Sequence, residues 1–285
     1  MKQNGRLALF VAGCLMLGLA GCEKKDGDEQ KKEAKAEEPD AEKKKQKADK
    51  ADKKKGAADQ SPHSSSIPGT ENQLKWDQDI PNVEFAITSP EEGQTLKSGE
   101  TVEVEFDVTK YRIGNEIGQH IHFILDNDPY HAHYVDGKAK IYKDVEPGTH
   151  TLRAFPARHY HLSIKEGRPF AQVTFHVEEK SEDFSFDPDK PYITYSRPKG
   201  TYSKEAAQEL LLDFYKSNVE LGEDAKVVYA VDGEKQGELT EWTPVLLDPL
   251  KPGEHDINLK LVDGDGKLIE NGGYNDTTRT ITVKE

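Results

Sequence analysis

Ile121-His122-Phe123-Ile124-Leu125-Asp126 and Val227-Val228-Tyr229-Ala230-Val231-Asp232 are two versions of one segment, a short apolar run stopped by an aspartate. Working outward, the match continues. Val145-Glu146-Pro147-Gly148-Thr149-His150-Thr151-Leu152 aligns with Leu250-Lys251-Pro252-Gly253-Glu254-His255-Asp256-Ile257, and Phe175-His176-Val177 with Ile281-Thr282-Val283. The offsets are 106, 105 and 106, so the second half repeats the first almost without insertion. Val102-Glu103-Val104-Glu105-Phe106 alternates apolar and polar residues, the period of a half-buried strand, and Gly, Pro, Asn and Asp break such runs at short intervals. Short strands at this spacing predict an all-β chain: two tandem immunoglobulin-like β-sandwich domains, residues 82–179 and 190–285, joined by residues 181–190. Residues 206–217 have a helical composition, but the alignment sets them on the strand 102–108, and a strand is predicted there.

The 285 residues carry 39 Lys+Arg against 53 Asp+Glu, a formal charge of −14. Residues 61–285 alone hold 24 basic and 41 acidic side chains. A region this acidic repels phosphate, so nucleic acid is not expected as a partner. Residues 1–21 begin with Lys2 and Arg6 and continue as an apolar run from Leu7 to Ala20. That run is shorter than the roughly 20 residues a bilayer span requires and reads as an export signal. Leu19-Ala20-Gly21-Cys22 resembles the lipobox of bacterial lipoproteins, which implies a diacylated Cys22 as the mature N-terminus. The only other cysteine, Cys14, lies inside the signal, so the folded part has no disulfide to lean on. Glu23, in place of the Asp that resembles an inner-membrane retention signal, points to the outer membrane, facing the periplasm. Residues 22–78 read as a disordered Lys/Glu-rich tether, whose apolar residues up to position 60 are only alanines. The expected partners are the membrane, through the lipid, and a cell-wall component or envelope protein. The folded part is expected to be monomeric.

The repeat sorts the ten histidines. His150 and His255 occupy the same place in both copies, after a Pro-Gly turn, and read as architectural. His176 takes an outward phase and is expected to be exposed. His120, His122, His131, His133, His159 and His161 have no equivalents in the second copy and form three His-X-His pairs. Residues i and i+2 of a strand share a face. Ile121, Phe123 and Leu125 take the core phase, so His120 and His122 are expected to look outward. Asn127-Asp128-Pro129 favours a turn that brings residues 130–134 back beside that strand, drawing the first two pairs together. Imidazole is the commonest metal ligand, and a set without thiolates suits Zn²⁺, Cu²⁺ or Ni²⁺. A proton-sensitive surface near pH 6.5 is a further reading of the same residues.

Other chemistry finds less support. Gly118–Phe123 is similar to the His-X-His strand of copper–zinc superoxide dismutase over six residues, without that enzyme's disulfide or an evident zinc loop. Asp263-Gly264-Asp265-Gly266 lacks the closing ligands of a calcium loop and reads as a hairpin turn. No G-x-S-x-G or H-E-x-x-H motif occurs, and no catalytic residues are assigned; the chain is read as a non-enzyme. Arg153, Arg158 and Tyr160, near the third histidine pair, support an alternative in which an anion or glycan binds there. A purely structural or protein-interaction role is the other alternative.

Gly118–Asn127, Pro147–Phe155 and Ala171–Val177, with Asp213-Phe214-Tyr215 and Trp242-Thr243-Pro244 in the second copy, resemble a family of uncharacterised bacterial exported proteins with tandem Ig-like domains, the first His-rich. The resemblance spans residues 81–285. It implies the architecture and leaves the activity open. The reading that emerges is a lipid-anchored, non-catalytic binding module, with Zn or Cu as the metal candidates and the six histidines that have no counterpart in the second copy as candidate ligands.

Overall fold

The computed structural model describes residues 82–285, so the expected signal, Cys22 and the tether lie outside the described residues. Eight strands belong to each copy of the repeat. In the first they are Glu84–Ser89 (β1), Thr95–Leu96 (β2), Val102–Thr109 (β3), His120–Leu125 (β4), His131–His133 (β5), Lys138–Tyr142 (β6), Gly148–Ala157 (β7) and Ala171–Val177 (β8). In the second they are Tyr192–Arg197 (β9), Gly200–Tyr202 (β10), Leu211–Ser217 (β11), Ala225–Val231 (β12), Glu234–Leu239 (β13), Val245–Leu246 (β14), Gly253–Asp263 (β15) and Asp276–Val283 (β16). The sheets run β1-β3-β6 and β2-β8-β7-β4-β5, then β14-β11-β9 and β10-β16-β15-β12-β13. Strand for strand the second copy repeats the first, down to a short parallel edge, β2 on β8 and β10 on β16. The described residues therefore form a pair of tandem β-sandwiches.

Each sandwich closes over its own apolar cluster. In the first, Val104 and Phe106 of β3 meet Ile121 and Phe123 of β4, Leu152 of β7 and Phe175 of β8. In the second, Ile193, Tyr195, Leu212 and Phe214 meet Val227, Leu259 and Ile281. Burying a side chain of this size is worth about 1.5–3 kcal/mol, and no disulfide supplements it among the described residues. The helical composition of 206–217 is spent on a single 3₁₀ turn, Ala206–Gln208, before β11 begins. His150 and His255 hold matching turns. Each Nδ1 meets an aspartate Oδ2 at 2.8 Å (Asp126 and Asp232), and each Nε2 meets a carbonyl at 2.8 Å (Glu146 and Lys251). The same aspartates accept the N–H of Thr151 and Asp256 at 2.9 Å. His176 is buried rather than exposed, because β2 is added alongside β8 and Thr149 Oγ1 sits 3.0 Å from its Nδ1.

The two sandwiches also pack on each other. β4, β7, β9 and β11 are buried on both faces, where an antiparallel strand of an isolated sandwich would present one face to water. The second face of the five-stranded sheet, with Ile124, Arg153 and Phe155, meets the second face of β9 and β11, with Thr194, Asp213 and Tyr215. Four sheets thus stack in register of core, seam and core. Phe155, Phe170 and Tyr215 stack in the seam, Tyr215 meets Trp242 edge-on, and Lys165 Nζ reaches Asp213 Oδ1 at 2.7 Å across it.

Candidate metal centre

β4 carries the first two histidines of the site. Ile121, Phe123 and Leu125 point into the first sandwich, so the pleat sends His120, His122 and Ile124 to the other face. The predicted phase is correct but the expected exposure is not: both histidines are fully buried, because the second sandwich covers that face. The third histidine arrives from a turn. β7 ends at Ala157, and Arg158–Leu162 closes on itself through Arg158 N–H to Leu162 O and His161 N–H to Arg158 O, each 2.8 Å. His161 sits in this turn at φ +63°, a left-handed conformation that histidine adopts more readily than most residues. The turn directs its ring into the seam, where it is buried.

The three rings meet through their nitrogens. His120 Nε2 lies 3.0 Å from His122 Nε2, and His122 Nε2 lies 3.4 Å from His161 Nδ1. One nitrogen from each residue falls within 4.8 Å of the others. Nitrogens held about 2.0–2.1 Å from one Zn²⁺ stand roughly 2.9 Å apart at a right angle and 3.3–3.4 Å apart at a tetrahedral angle, so the shorter spacings match a shared ion. The far nitrogens of the strand pair are held too. His120 Nδ1 is 2.7 Å from Gly118 O, an acceptor only, so Nδ1 carries the proton and Nε2 offers its lone pair in the neutral ring. His122 Nδ1 lies 3.2 Å from Ser196 Oγ of β9. A backbone carbonyl or hydroxyl on the far nitrogen is the usual arrangement around a metal-ligating histidine.

Aromatic rings wall the site. Tyr130 stacks on His122 at 3.6 Å between centroids, and Tyr134 lies 4.6 Å from His120. Lys199 Nζ caps the Tyr130 ring at 4.3 Å. Burial, and then the neighbouring His120 and His161, hold the His122 pKa well below the usual imidazole range. Burial followed by Arg197 and His120 does the same for His161. Both shifts favour the neutral form of these rings, the form in which an imidazole can ligate a metal.

The other candidates are not brought to this point. The hairpin forms as expected, with β5 antiparallel to β4, but Ile121 pairs with His133, His122 with Ala132 and Phe123 with His131. His131 and His133 therefore share the core-side phase of Ile121 and Phe123, where His133 meets the rings of Phe106 and Phe123. A one-residue difference in register decides this. His159 belongs to the turn rather than a strand, so it does not share a face with His161, and its half-buried ring packs edge-on against Tyr160 at 4.8 Å.

Both arginines of the anion or glycan alternative are buried, Arg153 in the seam. Arg153 is fully buried, donating to Thr194 Oγ1 at 3.0 Å and to Asp126 O, with its guanidinium 4.5 Å over the Tyr274 ring. Arg158 is also buried, 3.9 Å from Glu166. Tyr160 is half-buried, and its carbonyl accepts from Arg197 Nη1 at 2.6 Å. Ser196, Tyr130 and Arg197 had no signal in the repeat. Two of them come from the second sandwich, and only the docking of the two copies brings them to the histidines.

No family model matches the chain, and no curated protein matches it. Among solved structures it is similar to the Clostridium thermocellum CbhA fibronectin(III)-like modules, at 19% identity over 70% of this chain and 94% of that one, with a TM-score of 0.27. It is also similar to the Bacteroides ovatus mixed-linkage glucan utilization locus SGBP-B in complex with a mixed-linkage heptasaccharide, at 10% identity, 71% of each chain and a TM-score of 0.22. The two tandem V-type regions of VCBP3, a v-region-containing chitin binding protein, match at 9% identity over 71% of this chain and all of that one, with a TM-score of 0.23. Likenesses this distant say nothing about the triad.

Proposed function

We propose that the protein is a non-catalytic module that binds one transition-metal ion, Zn²⁺ or copper, through His120, His122 and His161. The observation that carries this reading is the convergence of three imidazole nitrogens, neighbours 3.0 and 3.4 Å apart, in a buried seam where both strand histidines have their far nitrogens engaged. Three imidazoles without a thiolate suit a borderline ion. The proposal extends to the address: a chain held by a diacylated Cys22 in the outer membrane, facing the periplasm on the tether 22–78. The lipobox-like Leu19-Ala20-Gly21-Cys22 supports that part.

Calorimetric titration of the metal-free protein with Zn²⁺, Cu²⁺ and Ni²⁺ tests the centre. One ion is expected per chain, with binding lost in His120→Ala/His122→Ala and kept in His131→Ala/His133→Ala. Circular dichroism without metal checks that each variant is folded. Absence of stoichiometric binding, or its loss in the His131/His133 variant alone, would refute the triad.

A further inference from the structure

The second sandwich supplies none of the three ring nitrogens, yet it touches the site at two places. Ser196 Oγ lies 3.2 Å from His122 Nδ1, and Arg197 Nη1 holds the Tyr160 carbonyl in the turn that presents His161. We infer that Ser196 is a positioning residue of the metal centre, whose hydroxyl lets His122 exchange one neutral tautomer for the other as the ion enters. The inference rests on the metal reading above.

The hydrogen-bond network gives the argument. In the metal-free protein, His120 presents the Nε2 lone pair to His122, because its Nδ1 proton is committed to Gly118 O. His122 Nε2, 3.0 Å away, must then carry a hydrogen and donate it. Neutral imidazole has one N–H, so His122 Nδ1 is an acceptor in that state and takes the Ser196 O–H. A metal on His122 Nε2 requires the opposite arrangement. The Nε2 proton is released to the buffer and Nδ1 takes one up from it, so no net proton is exchanged, the ring stays neutral, and Nδ1–H now donates to Ser196 Oγ. A serine hydroxyl can serve both states by rotating, since it has one hydrogen and two lone pairs. A carbonyl would satisfy only the loaded state, and a methyl neither. Ser196 is itself fully buried, so water does not readily substitute for it.

The test compares the wild-type chain with Ser196→Ala and with Thr194→Val. Thr194 lies two residues away on the same face of β9 and bonds Arg153 rather than a histidine, so its variant controls for general loosening of the seam. Zn²⁺ affinity is measured by calorimetry, and side-chain ¹⁵N chemical shifts of His122 report which nitrogen is protonated before and after loading. The expected result is a 10–100-fold loss of affinity in Ser196→Ala, in line with other histidine-supporting groups, and wild-type affinity in Thr194→Val. The wild-type His122 proton is expected to move from Nε2 to Nδ1 on loading. Equal affinities in wild type and Ser196→Ala, an equal loss in Thr194→Val, or an unchanged His122 tautomer would overturn the inference while leaving the triad standing. A wild-type chain that binds no Zn²⁺ would remove both.

Discussion

Replacing Asp213 with alanine strips Lys165 of the carboxylate its ammonium touches across the seam. Lys165 Nζ donates to Asp213 Oδ1 and Ser163 Oγ at 2.7 Å and to Phe214 O at 3.1 Å, and lies 4.8 Å from the Trp242 ring centroid. The Asp213 side chain is wholly buried and that of Lys165 is 9% exposed. Breaking a buried pair by deleting one partner leaves an uncompensated charge and costs about 3–5 kcal/mol. The Ser163 N–H also loses its acceptor, Asp213 Oδ2 at 3.0 Å. At about 2–4 °C per kcal/mol for a chain this long, Tm should fall by roughly 6–20 °C. The double variant Lys165→Met/Asp213→Leu removes both charges and should cost far less, since an apolar pair of similar volume is often neutral. Thermal and denaturant melts followed by tryptophan fluorescence measure both.

The pH dependence gives a second reading of the same variant. Burial lowers the Lys165 pKa from its ordinary 10.5 against the opposing pull of Asp213. Without Asp213 it falls further. A lysine depressed on folding costs stability below its folded pKa, and that cost fades as pH rises toward 10.5. The Asp213→Ala deficit should therefore narrow as pH is raised from neutrality. A deficit below about 1 kcal/mol, or one indifferent to pH, would refute the reasoning that Asp213 compensates the buried Lys165 charge.

Gly272 and Gly273 offer a matched pair of substitutions. At Gly272, φ is +60° and a new Cβ would lie 2.7 Å from Phe186 N, so Gly272→Ala should cost about 2–3 kcal/mol. Gly273 has φ +83° and open space, so Gly273→Ala should cost only about 1–2 kcal/mol, with thermal melts separating the two. In the second-copy clamp, the Asp232 hydrogen bond, then the Lys251 carbonyl, raise the His255 pKa above 6.5. The charged pair stabilises the fold at pH below 6.5 and is lost as pH rises through the folded value. Asp232→Asn should therefore be costlier in mildly acidic than in alkaline buffer, by less than about 1 kcal/mol for so exposed a pair; equal costs at both would contradict this.

The repeat made the sandwiches legible. Matching aspartates, Pro-Gly turns and histidines at nearly constant offset mark matching strands, and His150 and His255 make the same two hydrogen bonds. The seam was not legible, because alternation shows which residues face a core and not what covers the opposite face. His120 and His122 had the right phase, yet their burial depends on a surface encoded about 75 residues later. The fate of His131 and His133 turned on parity. The link from Asp126 to Tyr130 sets β5 in the register that pairs His122 with Ala132, and a slip by one residue would have sent both histidines to the seam. His161 joins the site from a turn at positive φ, where strand periodicity has no force.

The seam joins unlike surfaces: the five-stranded sheet of one copy against the three-stranded sheet of the other. Contacts of this head-to-tail kind do not close by symmetry, and repeated between molecules they would add subunits without end. The two outermost sheet faces would be the next to engage, and both carry dense opposite charges. On one, Lys138 pairs with Glu103 and Glu105, and Lys140 with Glu103 at 2.9 Å. On the other, Lys226 meets Glu238 at 2.8 Å and Lys260 meets Asp276 at 3.0 Å. A further copy would have to strip water from these ion pairs, with no aromatic stack of the Phe155–Tyr215 kind to offset the loss. The outer faces are thus wet where the seam is dry, and replacing those lysines and glutamates with seam-like aromatics is the change that would open them to further copies and turn a paired module into a fibre.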